Sequence, residues 1–166
     1  KISRLHVLSA EQLKTNLKGI QESALENDCI RLHRAISWLK CAEELDIPDL
    51  SFITLWIAFN SCYADSNLHD EVLSERNRFK EFVNKLVECD NNAKFYNVLW
   101  HDFSGPVRKL LDNKYAFKLF WDAQKGIEVD WQRNFENSKK SSVYYLHNDK
   151  VSSLLELVLD RMYTVR

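Results

Sequence analysis

An all-α helical bundle around a buried central helix, with additional short helices, is the fold that these 166 residues predict. Three observations carry that expectation. Glycine occurs three times and proline twice, too few to supply the tight turns of an all-β architecture. Apolar residues recur at helical spacing, as in Phe79, Phe82, Val83, Leu86 and Val87 or in Val151, Leu154, Leu155, Val158, Leu159 and Met162. The third is the stretch Asp49–Tyr63, DLSFITLWIAFNSCY, where Leu55, Trp56, Ile57, Ala58 and Phe59 are consecutive. Wound as a helix, these put apolar groups on every side, which marks a buried helix. The stretch is too short to cross a membrane, and Ser51, Thr54 and Asn60 interrupt it.

Each element has its own signal. Residues 1–8 read as a lead-in. Ser9 with Gln12 forms a capping-box pattern for a first helix carrying Leu13, Leu17, Ile20 and Ala24. Asn27-Asp28 is expected to cap a second helix over 29–45, with Leu32, Ile36 and Leu39 as its stripe, widened by Ala35 and Trp38. Glu43, Glu44 and Asp46 read as a solvated face. Ile47-Pro48 turns the chain into the central helix, capped by Asp49. Asn67 to Asp70 is a polar break before a helix over 70–88. Asp90-Asn91-Asn92 then caps a shorter helix with Phe95, Val98, Leu99 and Trp100. Ser104-Gly105-Pro106 opens another short helix, which Asn113 stops. Tyr115–Gln124 follows, with Gly126 suited to its C-terminal cap. Trp131 and Phe135 fit one helical face, whereas Ser138–Ser142 resembles a polar loop. Gly126–Trp131 and Val143–Leu146 are the two strand candidates, each too short to build a sheet alone. Asn148 or Asp149 starts the last helix. No internal repeat or linker divides the chain, so a single domain over 1–166 is expected. Because the chain begins at Lys1, a processed or trimmed N-terminus is expected as well.

The formal charge is −1, so no bulk basic field advertises nucleic acid, although a local groove is compatible with it. Cys29, Cys41, Cys62 and Cys89 form no CxxC pair and read as small, reduced residues of a cytoplasmic protein rather than as disulfides or zinc ligands. No signal peptide or uninterrupted membrane span is visible, so no membrane partner is expected. A glycine-rich phosphate loop, HExxH, GxSxG and Cys/His metal spacings are all missing, so neither a metal site nor a cofactor is predicted. The histidines at 6, 33, 69, 101 and 147 each read first as surface or hydrogen-bonded structural residues. His33 stands out because Arg31 and Arg34 flank it, although the three point in different directions on a helix. Asn60 is a polar group on an apolar helix, and it either satisfies a neighbouring backbone group or lines a cleft. Asn60 and His33 are the candidate substrate-binding residues.

Four segments together resemble one family. RLHRAISWLKCAEEL at 31–45 and SFITLWIAFNSCYA at 51–64 are similar to the paired central helices of HEPN-domain proteins, and of the Apea-like HEPN group in particular. NKYAFKLFW at 113–121 and VLDRMYTVR at 158–166 fit the same group. The resemblance implies an all-α bundle, commonly a homodimer, and many members are metal-independent RNases. Their signature is an Arg followed a few residues later by a His. By resemblance Arg166 matches the motif Arg, and the partnering His is expected beyond the last residue. The chain then reads as a HEPN domain cut inside its own signature.

The resemblance also implies a mechanism. The ribose 2′-OH attacks the adjacent phosphate, leaving a cyclic phosphate and a 5′-OH. A His would act as general acid or base near neutrality, and the Arg would hold the phosphate through charge-assisted bonds. Losing the His is expected to remove about two to four powers of ten of acid–base assistance, leaving the fragment inactive or very weak. Without the resemblance, Arg166 reads as a C-terminal charge favourably set against the helix dipole. Two functions follow. One is an RNA-cleaving domain of toxin or phage-defence character, with RNA as substrate and an antitoxin or other protein as partner. The other is a non-catalytic HEPN module that binds RNA, nucleotide or a partner protein. A purely structural helical scaffold is a third.

Overall fold

The computed structural model describes residues 8–63 and 72–165. Helices dominate, and no strand is present among the described residues. The chain divides into two compact units, parting between Arg78 and Phe79.

Unit 1 holds α1 (Ala10–Ile20), α2 (Glu26–Glu43) and α3 (Pro48–Tyr63). The capping box at the start of α1 forms as expected. Ser9 N–H donates to Gln12 Oε1 at 2.8 Å, and Gln12 N–H donates to Ser9 Oγ at 3.3 Å. Glu43 does more than face solvent: its Oε1 accepts from Ala10 N–H at 2.9 Å, tying the end of α2 to the first turn of α1. The second helix starts earlier than its capping pair suggested. Leu25 is the N-cap, without a side-chain bond, and Asn27 and Asp28 lie inside the first turn, where Asp28 pairs with Arg31. Asp49 likewise lies inside α3, because Pro48 is already helical; proline suits that position, where no amide hydrogen is needed. Helix α2 packs on α3 along much of its length and on α1 to a lesser extent. Ala35, Ala42 and Ala58 are buried, and their short side chains let the helices approach closely.

The central helix is not sheathed on every side. Trp56, Ala58, Thr54 and Ser61 are buried, but Ile53 is 48% exposed and Leu55 44% exposed. A helix of uniform apolarity has no stripe to aim inward, so one packed neighbour takes one side and the other keeps exposed apolar residues.

Helix α4 (Val72–Glu88) runs into unit 2, which continues with α5 (Lys94–Tyr96), a π-helical turn Asn97–Asp102, α6 (Ser104–Leu111), a 3₁₀ turn Lys114–Ala116, α7 (Lys118–Gln124), α8 (Trp131–His147) and α9 (Val151–Val165). The predicted break at 67–70 lies outside the described residues. Unit 2 has a continuous core of Val83, Leu99, Val107, Leu111, Leu154, Leu155 and Val158, with Val83 and Leu154 both 0% exposed. The stripes of α4 and α9 therefore do what their spacing predicts. Asp90 performs its capping role at a distance, its Oδ2 accepting from Phe95 N–H at 2.7 Å. Gly126 ends α7 in the left-handed region at φ +83°, the conformation glycine reaches without a steric penalty.

Three expectations fail here. Ser138–Ser142 is no loop, and Val143–Leu146 is no strand; both belong to the 17-residue helix α8. Asp130 caps α8 by accepting from Arg133 N–H at 3.1 Å, and the serines are carried by a helix whose inner face includes buried Phe135 and Ser142. Gly126–Trp131 forms no strand either: 127–130 are irregular and Trp131 opens α8. The last helix starts after Asp149, which takes a left-handed conformation at φ +50°.

Candidate functional site

The candidates read from the sequence sit on different elements. Asn60 is half-buried in the last turns of α3. Its Nδ2 donates to the Trp56 carbonyl at 2.8 Å and its Oδ1 accepts from the Tyr63 hydroxyl at 2.7 Å. The amide thus satisfies a neighbouring backbone group and holds a tyrosine hydroxyl as well. His33 is exposed on α2, and its carbonyl accepts from the Ser37 hydroxyl at 2.9 Å. Arg166 lies outside the described residues.

Unit 1 contains an apolar cavity of about 380 Å³ enclosed by α1, α2 and α3, walled by Leu17, Leu32, Ile36, Leu39, Phe59 and Cys62 among others. Asn60 and His33 are not among its lining residues. Burial pushes the Cys62 thiol above its ordinary pKa, and the positive charge of Arg31 pulls the other way. The cavity wall is therefore a neutral thiol on an apolar surface, suited to apolar contact rather than to nucleophilic chemistry.

Unit 2 contains a cavity of a different kind, about 260 Å³, where Trp100, Arg108, Asp112, Ser142 and His147 meet the apolar side chains of Leu111, Val143 and Leu146. The π-helical turn carries Trp100 into it. The indole Nε1 donates to the Leu146 carbonyl at 3.0 Å, and its ring stacks on Tyr96 with centroids 4.8 Å apart. Arg108 comes from α6 and Asp112 from the C-cap of that helix, and Ser142 and His147 from the last turns of α8. Reading each histidine by itself gave no sign of this grouping, since 39 residues of sequence part Arg108 from His147 and only the fold of α6 against its neighbours gathers them.

A third feature is Arg161, which is 1% exposed. Its guanidinium lies 4.3 Å from the Phe117 ring centroid and 5.6 Å from that of Phe135, and Nη2 donates to Ser138 Oγ at 2.9 Å. Nε and Nη1 are buried without a hydrogen-bond partner among the described residues. Burial lowers its pKa from the usual guanidinium value, opposed by Asp160. A signal for this was present: Leu154, Val158 and Arg161 stand at i, i+4 and i+7, one face of one helix.

The four cysteines are free thiols, and no group of three or more metal-ligating side chains occurs among the described residues. No helix among the described residues is long and apolar enough to cross a membrane. Compared with family models, curated proteins and solved structures, the chain matches none of them.

Proposed function

We propose that the chain is a HEPN-type helical module whose complete form cleaves RNA without a metal ion, with Arg166 holding the scissile phosphate. The observation that carries this reading is the family resemblance of four segments, which fall on α2, α3, the region of the 3₁₀ turn and α7, and α9. Support also comes from the core of unit 2, where the stripe of α9 anchors the helix that leads directly to position 166. In this chemistry Arg166 neutralises the phosphate as the ribose 2′-OH attacks it, and a histidine that follows the arginine in the family moves the proton. Pairing of two copies and an antitoxin or other protein partner belong to the same proposal, as does a cytoplasmic setting.

The test uses the full-length protein and single-stranded RNA in EDTA. Cleavage to cyclic-phosphate and 5′-OH ends is expected, and Arg166→Ala is expected to abolish it. Cleavage that survives the substitution, or that requires a divalent ion, overturns the proposal. Binding of RNA, nucleotide or a protein partner without cleavage turns the reading to the non-catalytic module.

A further inference from the structure

We infer that the mixed cavity of unit 2 is a binding site for a small organic phosphate monoester that carries a flat ring. The inference is independent of the RNA-cleaving reading and uses none of its residues. Four observations lead to it. First, the cavity gathers unspent donors. Arg108 has neither an ion pair nor a side-chain hydrogen bond among the described residues, and neither has the imidazole of His147. Asp112, the C-cap of α6, stands four residues after Arg108 yet does not pair with it. The order Arg before Asp runs against the helix dipole and is the weaker of the two. The Asp112 carboxylate lies 3.9 Å from Lys139 Nζ instead. Arg108 and Asp112 both line the cavity, and Asp112 shares Lys139 with Glu136, whose carboxylate is 3.7 Å from the same ammonium. The guanidinium, unpaired among the described residues, and an imidazole that can donate form the pair that takes an anion.

Second, one wall is a fixed aromatic plane. Trp100 is held at its indole nitrogen by the Leu146 carbonyl and on one face by the stacked ring of Tyr96, so the ring is positioned before any ligand arrives. Leu111, Leu146 and Val143 complete an apolar surface beside it. An inorganic ion would leave that surface wet; a ring attached to the anionic group would cover it.

Third, the helix that supplies Trp100 departs from α geometry at this point. Phe103 N–H donates to the Val98 carbonyl five residues back at 2.9 Å, the wide turn of a π-helix, a form that recurs at functional sites. Fourth, the chain just past His147 turns through Asp149 in the left-handed region, a conformation that costs an aspartate energy and ends α8 at the cavity. The size, about 260 Å³, admits a single ring with its phosphate and little more.

Isothermal titration of the full chain with phenyl phosphate, benzoate, inorganic phosphate and benzyl alcohol tests the inference. Phenyl phosphate is expected to bind saturably, and about tenfold more tightly than any of the other three. Arg108→Gln is expected to weaken it by about tenfold or more, the loss of one charge-assisted contact. Val143→Asp, which sets a carboxylate at the exposed rim, is expected to weaken it by a similar factor. Both residues are exposed, and an unchanged far-ultraviolet circular dichroism spectrum checks that the variants fold. Benzoate binding as tightly as phenyl phosphate would remove the phosphate assignment. Inorganic phosphate matching phenyl phosphate would remove the ring. No saturable heat, or affinity indifferent to both substitutions, would remove the site.

Discussion

Units 1 and 2 solve the same packing problem with opposite resources. Unit 1 contains a helix, α3, that is apolar on every side, yet that helix keeps Ile53 and Leu55 nearly half exposed. Unit 2 is assembled from helices of very unequal length, interrupted by a π turn and a 3₁₀ turn, yet it closes a core in which Val83 and Leu154 are sealed from solvent. The difference teaches that the amount of apolar surface on a helix does not decide its burial; the direction of that surface does. Helix α9 concentrates its apolar groups on one face and can satisfy them with one layer of neighbours. Helix α3 spreads them all round and would need neighbours on every side.

The two units also differ in their cavities. That of unit 1 is walled by aliphatic groups, the Phe59 ring and a protonated thiol, and that of unit 2 by a fixed indole, a guanidinium, a carboxylate and an imidazole beside aliphatic groups. Apolar interhelix space arises wherever side chains fail to interdigitate, whereas convergent unpaired donors need the fold to deliver them from separate helices.

The sharpest break of the comparison is a pair of truncations. Leu154→Ala is expected to destabilise unit 2 by about 2–5 kcal/mol, the usual cost of emptying a sealed leucine site. Leu55→Ala, in the more apolar helix, is expected to cost under about 1 kcal/mol because its side chain is already half in water. Urea denaturation measures both. Equal losses would mean that apolarity rather than direction governs this chain.

Arg161 gives a second, somewhat smaller effect. A buried guanidinium with two nitrogens that find no partner among the described residues is a cost that the stacking on Phe117 and the Ser138 bond only partly offset. Arg161→Met keeps the volume and removes the charge. It is expected to leave unit 2 as stable or to raise its stability by about 1–4 kcal/mol in thermal unfolding. A clear loss would show that the cation between the two rings contributes more than its desolvation costs.

The smallest effect is a pH dependence in unit 1. Burial raises the folded-state pKa of Cys62 above its unfolded value, so the folded state keeps the proton longer. The associated stability is fully present below about pH 8.5, where a free thiol is protonated, and is lost as the pH climbs through the raised folded value. Cys62→Ala is expected to flatten that alkaline decline relative to the parent. Chemical denaturation at neutral pH and above pH 9 measures it, and parallel curves would mean that the thiol is hydrated in the folded state.

Much of the fold was legible because its determinants are local. The Ser9–Gln12 box, the stop at Gly126 and the stripes of α4 and α9 each depend on residues within one or two turns, and each forms where the sequence put it. The serines and lysines at 138–142 misled for the same reason. Serine by itself favours caps and turns, and that preference is overridden here by the inner face of α8, which buries Phe135 and Ser142. Of the candidate site, Asn60 was legible in one of its two readings, as a satisfied amide, and His33 only as a surface group. The neighbourhood of Arg108, His147 and Trp100 left no local trace.

The sequence by itself determined the helical class, because scarce glycine and proline and a 3.6-residue apolar period leave the backbone little alternative. It also determined which faces of α4 and α9 turn inward, since each stripe points one way. Only the tertiary structure decided that α3 keeps an exposed side, that Arg161 is sealed between two aromatic rings, and that Arg108 and His147 share a cavity. Burial and convergence depend on which elements meet across long stretches of chain, and no short-range pattern encodes that meeting.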